Sequence, residues 1–170
     1  MTLVPTNAQL HRMSWIQGEG WEKFSHPTGY ELRDGRLLLG CGDRAWEMMI
    51  KLIPTLGEPV TLAYSVQGHA DAPRFEQACS AAKVMAFFEQ FREFLVCDGR
   101  HEVIVSNSQA SITWDEHDMI VIEGMADAVL RLLPPHFVKT EFERPFPHQH
   151  HVHECFDPDL AAVLKFFAMP

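Results

Sequence analysis

The positions of apolar residues along the chain predict short β-strands joined by tight turns. In residues 60–67 apolar and polar side chains alternate, which is the period of a strand with one buried face. Two shorter apolar runs, residues 30–33 and 36–39, flank the dipeptide Asp34-Gly35. Both positions of that dipeptide tolerate the positive φ angles of a two-residue hairpin turn, so we expect these runs to pair as antiparallel strands.

The later part of the chain carries a similar series of strand patterns. Residues 111–114 and 119–122 are apolar runs on either side of the polar turn 115–118, and they predict a second hairpin. The residue pattern also predicts strands over residues 102–106 and 137–144. Because hairpins join neighbouring strands, a sheet built from these segments is expected to be mostly antiparallel.

Helical spacing of apolar residues predicts helices between the strands. Residues 44–53 present one apolar stripe, and Asp43 is placed to cap their N-terminal end. Residues 125–133 form a shorter helical pattern that ends at Pro134. A last helix is expected to begin at Asp157, because aspartate favours the cap position and the proline after it favours the first turn.

The order of the predicted elements indicates a weak internal duplication. Each half contains a hairpin, a helix, a strand and a further helix, and chance alternation is the alternative explanation. We predict an α+β fold, with a mostly antiparallel sheet, helices packed on one face and two related ββαβα halves. We expect one globular domain over residues 1–170, made of an N-terminal arm (1–29), a first half (30–98) and a second half (99–170).

A long helix predicted over residues 72–97 has apolar residues on two different sides. Its N-terminal part carries them on one side, whereas its C-terminal part carries phenylalanines on nearly the opposite side. These phenylalanines are Phe87, Phe88, Phe91 and Phe94. Burial within the chain is the common arrangement, and an interface with a second copy or a foreign partner is the alternative. The phenylalanines are therefore the candidate partner-binding residues.

The composition restricts the classes of partner. The 170 residues include 23 acidic and 14 basic side chains, which gives a formal net charge of −9. This charge disfavours binding to nucleic acid or to anionic membranes, and it suits a basic protein partner. The sequence shows no signal-peptide pattern, no apolar run long enough to span a bilayer and no C-x-x-C pair among its four cysteines. We expect a cytoplasmic protein with free thiols.

The main concentration of metal-binding side chains lies near the C-terminus. His148, His150, His151 and His153 fall within six residues, and Glu154 follows directly. In a strand, His148, His150 and Glu154 would point to one side, where two histidines and a further ligand can hold a divalent ion such as zinc. A solvated histidine-rich loop without a physiological metal is the alternative. The candidate metal ligands are these four histidines and Glu154.

The turn 115–118, Asp-Glu-His-Asp, combines the groups used in general acid–base catalysis. Aspartate is also common in turns, and this structural interpretation is favoured. The chain has no Gly-x-Ser-x-Gly, no phosphate-binding Gly-Lys-Ser/Thr loop and no His-Glu-x-x-His motif.

The sequence therefore predicts a small acidic cytosolic binding protein without catalytic activity, which engages a basic protein partner or a second copy of itself in a homodimer. Immunity and inhibitor proteins are comparable only as a class. The alternative is a metal-binding protein or metal-dependent hydrolase that uses the histidine cluster, and no cofactor other than zinc or another divalent metal is expected.

Overall fold

A computed structural model describes most of the chain. It places residues 13–16, 20–23, 26–66, 74–142, 149–150 and 152–168, and for 13–16, 20–23 and 149–150 it describes the backbone alone. The strands within these ranges are β1 (Met13–Ile16), β2 (Gly20–Lys23), β3 (Gly29–Arg33), β4 (Arg36–Gly40), β5 (Val60–Val66), β6 (Arg74–Cys79), β7 (His101–Ser106), β8 (Ser111–Trp114), β9 (Met119–Glu123) and β10 (Gln149–His150).

The helices of the described ranges lie between and after the strands. The α-helices are α1 (Ala45–Leu52), α2 (Ala81–Gln90), α3 (Arg92–Cys97), α4 (Ala126–Leu130) and α5 (Asp157–Ala168), and short 3-10 helices cover Ile53–Leu56 and Glu154–Phe156. Seven strands form one sheet in the order β3-β4-β9-β8-β7-β5-β6, and a second sheet has the order β10-β1-β2. All neighbouring strands in both sheets are antiparallel. This arrangement confirms the predicted α+β class with a mostly antiparallel sheet.

The hydrophobic core lies against one face of the seven-stranded sheet. Burial alternates along β7, where Val103 and Val105 are fully buried and the residues between them are half-buried. Helices α1, α2, α3 and α5 add side chains to the same core cluster. Phe88 of α2, for example, stacks on Trp114 of β8 with ring centroids 6.4 Å apart. Each such buried aromatic ring contributes roughly 1.5–3 kcal/mol of hydrophobic free energy relative to an exposed one.

Both predicted hairpins are confirmed. Asp34 and Gly35 join β3 to β4 with φ angles of 52° and 77°, which is the positive-φ geometry that aspartate and glycine tolerate. Strands β5, β7, β8 and β9 lie within one residue of the predicted bounds. These elements were predictable because their signals, alternation and turn residues, are local.

The predicted long helix over residues 72–97 is wrong. Residues Arg74–Cys79 form β6, which pairs with β5 in the register Val60↔Cys79. Ser80 then caps α2 by accepting a hydrogen bond from the Lys83 N–H at 3.2 Å. A second interruption at Phe91, which has φ of −107°, separates α2 from α3. The long-range pairing with β5 overrides the helical spacing of the local sequence.

Burial of the phenylalanines corrects their interpretation as a partner-binding face. Phe87, Phe88, Phe91 and Phe94 are 0%, 0%, 3% and 1% exposed and belong to the core cluster. Because the helix breaks at Phe91, both of its halves can turn their rings toward the same sheet. The chain itself therefore covers the side that seemed to need a partner.

The structure does not confirm two ββαβα halves. Residues 137–144 were predicted as a strand, but the described part of this segment forms only a parallel bridge between Tyr30 and Lys139. Helix α4 is five residues long, shorter than predicted. Asp43 does not cap α1, because Arg44 occupies the N-cap position without a side-chain cap bond.

Among the described helices, none is long and apolar enough to cross a bilayer.

A buried ion-pair network fixes the start of β7 to the segment before α5. Arg100 donates to both carboxylate oxygens of Asp98, at 2.8 and 3.0 Å. Its other contacts are the Asp157 carboxylate at 2.7 Å and the His153 carbonyl at 2.8 Å. Asp98, which is fully buried, also accepts the His153 N–H at 3.0 Å. This network joins parts of the chain that are more than fifty residues apart.

We predict that replacing Arg100 by leucine lowers the free energy of unfolding by about 3–5 kcal/mol, because the substitution leaves a buried carboxylate without its counter-charge. Urea denaturation followed by circular dichroism measures this change. Arg36→Leu is the matched control, since Arg36 and Glu123 form an exposed pair (2.7 Å) that is worth at most about 1 kcal/mol. Equal losses in the two variants would contradict the prediction.

Candidate functional site

The seven-stranded sheet has a second face that points away from the hydrophobic core. Its central row consists of Leu38, Val121, Thr113, Ile104 and Ala63, which are opposite one another in the strand registers. The apolar side chains of this row do not belong to the core cluster of the described residues. All are half-buried except Ala63, which is buried. We call this row and its flanking positions the second face.

Carboxylates gather at one end of the second face, where β7 begins and β8 ends. Glu102 of β7 lies opposite Ser65 of β5. The turn after β8 brings Asp115 and Glu116 close enough to affect the titration of Glu102. We call Glu102, Asp115 and Glu116 the acidic cluster, and all of its members are half-buried.

The surroundings of the acidic cluster disfavour the ionisation of Glu102. Partial burial raises the pKa of Glu102, and the neighbouring carboxylates of Glu116 and Asp115 raise it further. Arg74 acts in the opposite direction and is the smallest of these effects. The Arg74 guanidinium is exposed and forms an ion pair with Glu76 at 2.7 Å. Glu102 is therefore incompletely compensated within the described part of the chain.

The turn that carries Asp115 and Glu116 is stabilised by its own carboxylates. Asp115 Oδ1 accepts hydrogen bonds from the N–H groups of His117 (2.9 Å) and Met119 (2.8 Å). Asp118, at a φ of 61°, accepts a hydrogen bond from the Trp114 indole at 2.9 Å. These contacts support the structural interpretation of Asp115 and Asp118. None of these three hydrogen bonds involves the carboxylate of Glu116.

Two imidazoles lie beside the acidic cluster. His117 Nδ1 is 3.7 Å from Asp115 Oδ2 and 3.6 Å from Glu116 Oε1, distances at which a protonated imidazole is attracted by the carboxylates but a good hydrogen bond does not form. His26 is buried, and its ring meets the Phe142 ring edge-on at 5.5 Å. Burial lowers the pKa of His26, Asp115 raises it and His117 lowers it further. A neutral His26 adds no positive charge to the cluster at pH 7.

Gly40 makes room for the His26–Phe142 pair on β4. A Cβ at this position would lie 2.8 Å from Phe142 Cε1 and 2.9 Å from His26 Cβ, closer than side chains approach. Phe142 is also fixed to β3, because its N–H donates to Glu31 at 2.7 Å and its carbonyl accepts from Arg33 at 2.8 Å. His26 and Phe142 therefore pack against β4 at the end of the second face next to the acidic cluster.

The predicted metal ligands fall largely outside the described residues. His148 and His151 are not described, and of His150 only the backbone is described, paired with Ser14 between β10 and β1. His153 is buried, and Glu154 is exposed in a 3-10 helix. Strand alternation therefore does not continue from β10 to Glu154. In the ranges that the structure places, no group of three or more His, Cys, Asp and Glu residues could hold a metal ion.

Sequence reasoning missed Glu102 as a site residue. Its position within the alternating run 102–106 showed that it faces away from the core, on the same side as Ile104. The closeness of Glu102 to Asp115 and Glu116 depends on the register between β7 and β8, in which Val103 is opposite Trp114. That register is a tertiary property, so no local signal could have placed these carboxylates together.

The chain matches no protein-family model, no curated protein and no solved structure at a significant level. The function must therefore be inferred from the residues themselves.

We predict that Glu102→Gln raises the melting temperature at pH 7, because the folded state raises the pKa of Glu102. Below about pH 4 the carboxyl is protonated in both states, so the ionisation penalty is absent. As the pH rises through the unfolded and then the folded pKa, ionisation destabilises the wild-type protein, and the difference between the proteins grows to a plateau. Thermal melts from pH 3 to 8 measure this difference.

Glu93→Gln serves as the control for this experiment, because Glu93 is exposed on α3. It changes the net charge equally and should leave the melting temperature within about 1 °C at each pH. A destabilised Glu102→Gln protein at neutral pH would contradict the interpretation of an uncompensated charge.

The alternative hypothesis of a metal-binding protein predicts about one equivalent of zinc in protein purified without an affinity tag, lost in a variant with His148→Ala and His150→Ala. Elemental analysis with protein quantification is the measurement. His136→Ala is the control, since His136 is exposed and lies outside the histidine-rich segment. Metal-free protein that also takes up no zinc in a titration would exclude the metal site.

Proposed function

We propose that this chain is a cytoplasmic binding protein without catalytic activity, and that it binds a basic protein partner through the second face. The observation that carries the proposal is the geometry of the acidic cluster, in which the half-buried Glu102 lies near the like-charged carboxylates of Asp115 and Glu116. An arginine or lysine of a partner would place a positive charge beside Glu102. Ionisable groups whose pKa is shifted by burial and by neighbouring charges concentrate at functional sites.

The electrostatics of the acidic cluster favour an external cation over an internal one. Ionised Glu102 destabilises the isolated protein, and substitutions that remove such a cost are easily available to a protein. A residue that conflicts with its surroundings is often retained for function, where stability is exchanged for binding. On binding, charge-assisted hydrogen bonds from a guanidinium to the fixed carboxylates would offset the free-energy cost of ionised Glu102.

The rest of the second face supports an interface larger than one ion pair. Leu38, Val121 and Ile104 supply apolar surface beside the acidic cluster. Charged pairs flank this row, with Glu31 and Arg33 on β3 and Arg74 and Glu76 on β6. Protein interfaces commonly have this composition, in which an apolar centre is surrounded by a polar rim.

A basic partner is favoured over a second copy of this chain. Two copies would each bring a net charge of −9 to the contact, and the potentials of like-charged surfaces oppose association. The phenylalanines that offered an apolar reason for a homodimer are buried. None of the four cysteines, all of which the structure describes, forms a disulfide, and this supports the proposed cytoplasmic location.

We predict that tetra-arginine amide binds at the acidic cluster. Titration into isotopically labelled protein should shift the backbone amides of β7 and of the turn 115–118 most, because a guanidinium there pairs with the carboxylates. Substituting Glu102→Gln together with Glu116→Gln should weaken binding by about tenfold. A pull-down of basic proteins from cell extract, compared between wild type and this variant, extends the measurement to natural partners.

The matched control is Glu89→Gln with Glu93→Gln, which removes two exposed carboxylates from α2 and α3. It leaves the same net charge as the test variant, so a diffuse charge effect would weaken binding equally in both. Equal weakening, or shifts spread over the helices, would refute the second face as the binding site. Binding that falls only in the Glu102 and Glu116 variant would support it.

A further inference from the structure

We infer that a separate cavity, between α1 and the segment 132–138, binds a small organic anion. The cavity has a volume of about 220 Å³ and is lined by Arg44, Lys51 and His136 together with apolar side chains. It shares no lining residue with the acidic cluster. The inference is therefore independent of the basic protein partner proposed for the second face.

The charge around this cavity is opposite to that of the whole molecule. The chain has 23 acidic and 14 basic side chains, yet two basic side chains, Arg44 and Lys51, come together here and Glu47 is the one carboxylate among the lining residues. The Glu47 carboxylate also lies 3.8 Å from the Arg92 guanidinium, which offsets part of its charge. Clefts lined by one sign of charge concentrate ligands of the opposite sign.

The walls of the cavity suit the carbon skeleton of a small ligand. Met48, Pro134 and Phe137 line it alongside the basic groups. Burial raises the pKa of the Cys41 thiol to about 12, and the charge of Asp118 adds to the increase. The thiol is therefore neutral at pH 7 and brings no negative charge to the cavity. Ligand pockets typically combine apolar walls with a few polar groups that orient the ligand.

Hydrogen bonds hold the segment 132–138 in place against α1. Lys51 Nζ donates to the Leu132 carbonyl at 3.0 Å, and the Tyr30 N–H donates to the Val138 carbonyl at 2.9 Å. The Phe137 N–H closes a turn onto the Pro134 carbonyl at 2.9 Å. An ammonium group has three donors, so Lys51 keeps two for a ligand. A preformed cavity avoids the entropic cost of ordering a loop on binding.

The test uses three probes of similar shape and different charge: benzoate, benzamide and benzamidine. Each is titrated into the full-length protein at constant ionic strength, and binding is followed by backbone amide shifts. We expect benzoate to bind with a dissociation constant on the order of 1 mM. Its shifts should concentrate on α1 and on residues 134–137, and benzamide and benzamidine should bind at least about tenfold more weakly.

Substitution of Arg44→Gln together with Lys51→Gln should weaken benzoate binding by about tenfold or more. Lys165→Gln is the control, because Lys165 is exposed on α5 and does not line the cavity, and it should leave benzoate binding unchanged. If the double variant does not give a folded spectrum, the single variant Arg44→Gln provides the same comparison, because Arg44 is exposed and its side chain makes no helix-capping hydrogen bond. Equal binding of the three probes, shifts away from the cavity, or no loss in the variants would overturn the inference.

Discussion

The alternation of side chains across the seven-stranded sheet is the constraint on which the rest of the structure depends. In β7, Val103 and Val105 face the helices, so Glu102 and Ile104 must face the other way. Helices α1, α2, α3 and α5 together bury the first face and leave no gap at the phenylalanines. The second face therefore carries the side chains that the hydrophobic core does not include.

Local signals account for the part of the fold that the sequence predicts. The Asp34-Gly35 turn and the polar turn 115–118 define two hairpins, and alternation defines β5 and β7, because each signal lies within the element it predicts. The signal that makes β6 a strand is not local. Phe75, Ala78 and Cys79 have helical spacing, and only pairing with β5 makes that segment a strand. Local periodicity alone therefore predicts one long helix where the chain forms β6, α2 and α3.

The candidate sites were less predictable than the fold because they depend on contacts between distant segments. Glu102 meets the turn 115–118 through the β7–β8 register, and Arg44 meets His136 through the path of the chain after α4. Arg100 and Asp157 are 57 residues apart in sequence, and their contact likewise depends on the tertiary structure. Residue type indicated which groups could do chemistry, whereas only tertiary structure showed which of them share an environment.

Two carboxylates, Asp98 just before β7 and Glu102 within it, show how the surroundings of a charge decide whether that charge stabilises the fold. Asp98 is fully buried, but Arg100 and main-chain N–H groups satisfy it, so its charge holds the chain together. Glu102 is less buried, yet its charged neighbours Asp115 and Glu116 are of like sign, so its charge opposes folding. An internal counter-ion would remove that cost and also remove the attraction for a basic partner. The incomplete compensation of Glu102 is thus the property that a binding function requires.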